Sequence, residues 1–369
     1  MDAITGSSRT ALLGFFLSHI PITMLMDGQA SLFRLPYPKA MTDFTQLYAS
    51  TLQDPHFLGK GPSFQQWFSP WFSAMITWEL IFKLPYFFVA VHMLLSNKKG
   101  NNGSDNDKNG VPHQYPEWFR LWSIFYGAST ATTLVPVLGV VWWNDADAAT
   151  PLLKVLLSLV YLPYLIFPLL MVKECWEPSA TTGTQKTSST SSIVFRPMSG
   201  ITYLSFLMYY ATHIPVSIFL DGQIIFPPLW FPQPVRDLLS FYSTTFQDPL
   251  MTGPPYQDWF RAMAVLEVFW LVPFFVVAIR VMTSTTKEQQ QHAHWPLWFH
   301  SLSLCYAANQ VTTLLAIYAT ALDAGVSVHV LGFYTPYLLV PLWLTWYCVQ
   351  PESLIVVESS KVDDKKKDK

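Results

Sequence analysis

Two aspartates, one glutamate and one histidine occur twice in this chain, each time with the same neighbours. His19 lies eight residues before Asp27, and His213 eight before Asp221. Asp54 and Asp248 each occupy the tripeptide Gln-Asp-Pro, while Glu79 and Glu267 follow the pairs Trp71-Phe72 and Trp259-Phe260 at equal distance. Eight residues are a little over two helical turns, so the histidine and first aspartate of each set can face the same side. Acids held close together share protons. Such a group could neutralise an amine, hydrogen-bond a hydroxyl or move a proton to or from a ligand. The plainer reading places Asp27 and Asp221 at wetted helix ends with only a structural role. Repetition with the same partners argues against it.

The elements that must carry these residues are membrane helices. Charged residues make up 12% of the 369, hydrophobic ones 51% and aromatics 16%, with mean hydropathy +0.27; globular chains carry about 25% charge. Eight stretches approach the ~20 apolar residues that a span requires: 11–26, 76–95, 121–143, 155–172, 201–220, 262–279, 297–322 and 328–349. Ala11–Met26 is short enough to resemble the apolar core of a signal peptide, but no small-residue cleavage site follows and its counterpart lies mid-chain. It reads as a span. Inside the eight stretches the only acids and bases, histidine apart, are Glu79, Lys83 and Glu267, and ionisable groups at that depth cost about 2.5–3.5 kcal/mol each. Pro21 and Pro215 each free a backbone carbonyl in the first span of a half and bend it.

The halves are copies. HIPITMLMDGQA at 19–30 and HIPVSIFLDGQI at 213–224 share six of twelve residues at an offset of 194, which also relates the two Gln-Asp-Pro loops. The offset falls to 188 at Glu79 and Glu267, to 180 at Thr132-Thr133 and Thr312-Thr313, and to 173 at Tyr161-x-Pro-Tyr164 and Tyr334-x-Pro-Tyr337. It changes only where loops shorten. The fold class expected is therefore an all-α polytopic membrane protein of two tandem four-helix modules, 10–173 and 200–350, joined by a polar linker at 174–199 and followed by a charged tail at 351–369.

Acids and bases nearly cancel (24 against 22), so no basic field is available for nucleic acid. Cys175, Cys305 and Cys348 are too scattered for a disulfide framework or zinc site, and neither a metal, a cofactor, a nucleotide loop nor a serine nucleophile motif is indicated. His92, His300 and His329 read as packing or interfacial residues, and the Trp and Tyr clusters near span ends as aromatic belts. With the N-terminus in the cytosol, 15 of the 22 Lys+Arg fall on the cytosolic side and 6 opposite, with Lys83 within a span. Both termini are then cytosolic. The polar stretches 96–116 and 177–192 read as unstructured, the sequon Asn102-Gly103-Ser104 is cytosolic, and Lys366-Lys367 match a dilysine retrieval signal of the endoplasmic reticulum.

FLSHIPITMLMDGQA, the Gln-Asp-Pro loop, WELIFKLPYF, TATTLVPVL and VYLPYLIFPL, in this order, resemble the EXPERA family, which includes the sigma-2 receptor, the emopamil-binding sterol isomerase and the transmembrane 6 superfamily. The resemblance covers nearly all of 10–173 and recurs over 200–350. It implies four helices around a cavity open sideways to the bilayer, in an endoplasmic-reticulum membrane protein of sterol and lipid homeostasis or trafficking. Its ligand would be a sterol, a related lipid or a cationic amphiphile, and another membrane protein of sterol trafficking would be a partner. By motif match, Asp27 and Asp221 would pair with a ligand amine and Asp54 and Asp248 would support them. Glu79, Glu267, His19 and His213 would belong to the cavities, lined further by Thr132, Thr133, Tyr161 and Tyr164 in the first module and Thr312, Thr313, Tyr334 and Tyr337 in the second.

The chain departs from the receptor pattern where a glutamine is expected four residues after the cavity glutamate; here stand Lys83 and Leu271. Glu79 and Lys83, four apart, are predicted to form an ion pair on one helix face. Ala316 stands where the first module has Pro136. An isomerase using the acids for proton transfer is the alternative implied by the resemblance, though the family's isomerases place the histidine four residues before the first acid, not eight.

Overall fold

The computed structural model describes residue 4 and residues 6–58, 68–96, 115–143, 150–176, 191–284 and 294–358. The sequon, the tail lysines and most of both polar stretches lie outside the described residues. Among the described residues, eight helices are long and apolar enough to cross a bilayer: α1 (Gly6–Ala30), α3 (Pro70–Ser96), α4 (Glu117–Trp143), α5 (Pro151–Glu174), α6 (Gly200–Ile225), α8 (Asp258–Thr283), α9 (Leu297–Asp323) and α10 (Val328–Val349). Two shorter helices, α2 (Lys39–Leu52) and α7 (Gln233–Phe246), follow the first span of each half. The spans contain 22 to 27 residues, about 33–40 Å at 1.5 Å per residue, enough for a ~30 Å hydrocarbon layer with tilt. Their outer faces are apolar too, with Leu17, Phe88, Ile166, Leu204, Val276 and Leu339 exposed, as expected of a surface solvated by lipid rather than water. The chain is a polytopic all-α membrane protein.

All eight predicted spans coincide with helices. Helices α2 and α7 occupy segments that the apolar pattern marks only as loops. Both are amphipathic: Thr45 and Ala49 of α2 are buried while Phe44 and Leu47 are exposed, a pattern suited to lying at the membrane surface. The polar linker also ends in a strand. β1 (Ser191–Phe195) pairs antiparallel with β2 (Leu354–Glu358), Phe195 opposite Leu354, because the β-branched runs Ile193-Val194 and Ile355-Val356-Val357 favour a pleated ladder.

The core is a central pair of helices. α4 and α9, each 67% buried over its most apolar window against 17–39% for the others, pack on one another. Module 1 also contacts module 2 through α4 with α8 and α3 with α9, two pseudo-equivalent contacts. Polar pairs pin this contact: Ser129 Oγ lies 2.7 Å from Thr312 Oγ1, and Asn309 Nδ2 donates to Thr132 Oγ1 at 3.0 Å. The Trp71 and Trp259 rings stack at 5.5 Å. At one end the fully buried Arg120 is held by Glu117 Oε1 at 2.6 Å and reaches Cys175 O, Trp176 O and Ser301 Oγ. Gly139 must be small, since a Cβ there would stand 2.6 Å from Ala262 Cβ on α8.

Three of the described spans are locally widened. A π-helical turn at Glu79–Lys83 in α3 and another at Glu267–Leu271 in α8 both begin at the half-buried cavity glutamate and end two residues before a proline, Pro85 or Pro273. Proline supplies no N–H and its ring crowds the carbonyl four residues back, which favours the extra residue of a π-turn, a feature found often at functional sites. A third π-turn, Ser217–Asp221, closes α6; in α1 the equivalent stretch instead ends in a 3₁₀ turn, Asp27–Ala30.

Candidate functional site

Each module encloses a chamber, about 270 Å³ in the first and about 250 Å³ in the second. His19, Asp27, Glu79, Thr133, Tyr161 and Tyr164 line the first. Their counterparts His213, Asp221, Glu267, Thr313, Tyr334 and Tyr337 line the second. Most of the remaining wall is apolar, from Ile22, Phe72, Met75, Ile76, Leu134 and Val137 in module 1, the composition usual for sites that take small hydrophobic ligands. Phe44 on α2 and Val160 on α5 line the first cavity and are themselves exposed, as is Phe333 on α10 in the second. The wall therefore reaches the outer surface between the short helix and the fourth span.

The histidine and glutamate of each module are bonded. His19 Nε2 lies 2.9 Å from Glu79 Oε1 and His213 Nε2 2.8 Å from Glu267 Oε1. A hydroxyl from the first span adds a second bond to the same oxygen, Thr23 at 3.0 Å and Ser217 at 2.6 Å. Aromatic rings fix each imidazole: Phe87 and Tyr164 lie 4.8 and 4.5 Å from His19, Phe275 and Tyr337 both 4.7 Å from His213. Nδ1 of both histidines is buried without a hydrogen-bond partner among the described residues.

Asp54 and Asp248 are fully buried behind the cavity wall rather than in it. Their position follows from the Gln-Asp-Pro tripeptide. Gln53 and Gln247 adopt left-handed backbone (φ 54° in both) and stop α2 and α7. The carboxylate then accepts the backbone N–H two residues on, from His56 at 2.9 Å or Leu250 at 3.0 Å, an Asx-type turn. Its other oxygen accepts two phenols: Tyr48 at 3.1 Å and Tyr161 at 2.7 Å for Asp54, Tyr242 at 3.0 Å and Tyr334 at 2.7 Å for Asp248. The aspartates thus orient cavity tyrosines.

The glutamine of each Asp-Gly-Gln triplet ties the end of the first span to the short helix. Gln29 Nε2 donates to Leu25 O and to Thr45 Oγ1 on α2, and Gln223 Nε2 to Phe219 O and Val235 O on α7. The glycine between leaves room for an aromatic ring, Tyr37 or Phe231. These contacts hold Asp27 and Asp221 at the cavity edge.

Three expectations are corrected. Thr132 and Thr312 do not line the cavities; consecutive helical residues point about 100° apart, so one threonine of each pair faces the cavity and the other bonds the opposite module. Asp54 and Asp248 act through tyrosines. Glu79 and Lys83 form no ion pair within 4 Å, because each bonds another helix: Glu79 accepts from Thr23 and meets His19, and Lys83 Nζ donates to Thr133 Oγ1 at 3.2 Å. The sequence reading also missed Tyr48 and Tyr242, Thr23 and Ser217, although all four obey the 194-residue offset, and Gln310, which has no counterpart and donates to Glu267 Oε2 at 3.1 Å. His300 is fully buried, its Nε2 2.9 Å from Cys348 O.

Comparison with known proteins agrees with this architecture. The family model described as EXPERA (EXPanded EBP superfamily) matches twice, over residues 40–175 and 234–348. Sigma intracellular receptor 2 of Homo sapiens and of Macaca fascicularis are each 33% identical over 171 residues, 44% of this chain and 83% of theirs. Efficient mitochondria targeting-associated protein 19 of Schizosaccharomyces pombe is 28% identical over 140 residues, 37% of this chain and 68% of its own. Matched by the family model over both modules and by receptor relatives across most of their own length, the chain belongs to the EXPERA family.

Proposed function

We propose that this protein binds sterols, related lipids or cationic amphiphiles in its two intramembrane cavities and serves lipid homeostasis or trafficking in the endoplasmic-reticulum membrane. The observation that carries the reading is the repeated cavity: an apolar chamber whose polar wall is reduced to one aspartate, one His–Glu pair, one threonine and three tyrosines, with Gln310 added in the second. A largely apolar ligand with a single polar end fits that lining. Asp27 and Asp221 are the acids offered to an amine or hydroxyl, since neither glutamate nor buried aspartate is free of partners. The unpartnered histidine Nδ1 atoms suit a ligand that donates a hydrogen bond. The similarity to a receptor supports binding rather than turnover.

The test is saturable binding of tritiated cholesterol to the purified full-length protein in nanodiscs, competed by a lipophilic tertiary amine. Saturation with competition is expected. No saturable binding of either probe would overturn the reading, and conversion of a Δ8 sterol by the same preparation would move it to an isomerase. Cytosolic termini fit the distribution of Lys and Arg; an endoglycosidase-sensitive mass shift at Asn102 would reverse that topology.

A further inference from the structure

The two cavities differ at one charge. In module 1 the fully buried amine of Lys83 stands near Glu79 and Asp27 and reaches the cavity wall through Thr133 Oγ1. In module 2 the equivalent residue is Leu271, also buried, and among the described residues no lysine stands behind the cavity wall as Lys83 does in module 1. The second oxygen of Glu267 is satisfied instead by the uncharged amide of Gln310, where module 1 has Thr130 bonded to its own helix at Tyr126 O. Counting the surrounding groups, module 1 sets Asp27, Asp54 and Glu79 against Lys83, with His19 beside them. Module 2 sets Asp221, Asp248 and Glu267 against no fixed cation, with His213 beside them. Asp221 also makes no side-chain hydrogen bond or ion pair among the described residues, whereas Thr23 stands beside Asp27.

We propose that the cavities have divided their ligands: module 2 takes a cationic amphiphile, whose ammonium pairs with Asp221, while Lys83 excludes cations from module 1 and leaves it to an uncharged hydroxylated lipid. A buried ammonium repels a second one strongly, because low dielectric magnifies like-charge repulsion, so one lysine suffices to set the preference. The division rests on both cavities being lipid sites, as proposed above.

The experiment counts sites. A tritiated lipophilic tertiary amine is titrated onto full-length protein in nanodiscs. Wild type is expected to bind one equivalent per chain, weakened at least tenfold by Asp221→Asn. Lys83→Gln is expected to open a second site, giving two equivalents. Leu271→Lys is expected to abolish amine binding while tritiated cholesterol still binds, which shows that the variant is folded. Two equivalents on wild type, or one equivalent unmoved by both Lys83→Gln and Leu271→Lys, would overturn the division while leaving both cavities as lipid sites. Binding of neither probe would overturn the functional reading itself.

Discussion

Glu79 and Glu267 occupy the same place in two copies of one helix bundle, yet their surroundings balance them differently. Each meets a histidine on the first span and begins a π-turn. Around Glu79 the balance combines the Thr23 hydroxyl with Lys83 buried nearby. Around Glu267 it is made by neutral donors, Ser217 and Gln310. A duplicated site can thus keep its geometry while changing its charge, provided each buried polar group still finds a partner.

Stability measurements can break that comparison. Replacing Glu79 with Leu orphans His19 and Thr23 and also removes an acid near the buried Lys83, a loss of more than about 3 kcal/mol. Glu267→Leu strands only neutral groups and should cost about 1–3 kcal/mol. Thermal unfolding in one detergent checks the order, and equal losses would contradict the proposed ionic role of Lys83. At the module contact, Gly139→Val forces a side chain into Ala262 and should cost about 1–3 kcal/mol. Its counterpart Ala319 already carries a Cβ and is only partly buried, so Ala319→Val should stay within about 0.5 kcal/mol. A similar loss at both sites would mean the modules do not pack as described. The smallest effects concern the Gln-Asp-Pro aspartates. Tyr161→Phe and Tyr334→Phe each delete a 2.7 Å bond in matching surroundings and should each cost about 1 kcal/mol; a clear difference would show that the two sites are not equivalent.

Much of this was legible in the sequence because membrane spans and repeats are written in composition and offset. The eight apolar runs mark the spans, and the shared offsets bring His19, Asp27 and Glu79 to one cavity and their counterparts to the other. What escaped depends on rotation about the helix axis. Thr132 and Thr133 are neighbours with different fates, and only the packing of α4 on α9 decides which one faces the cavity. The Glu79–Lys83 ion pair is not made because both side chains bond other helices, Glu79 to His19 and Thr23 and Lys83 to Thr133, which the four-residue rule does not see. Helices α2 and α7 are short and half polar, too weak a signal beside eight long apolar runs. Gln310 has no partner in the repeat, so repetition could not point to it.

The central claim is that the chambers themselves hold lipid. Leu134 and Leu314 are equivalent wall residues, one in each cavity. Photolabelling by a diazirine-bearing cholesterol analogue, compared between wild type and the Leu134→Trp/Leu314→Trp double variant in nanodiscs, tests the claim most directly. If the cavities hold the sterol, wild type is labelled on wall peptides and filling both chambers removes that label at least tenfold. Undiminished labelling of the filled variant would place the sterol on the outer surface and contradict the account.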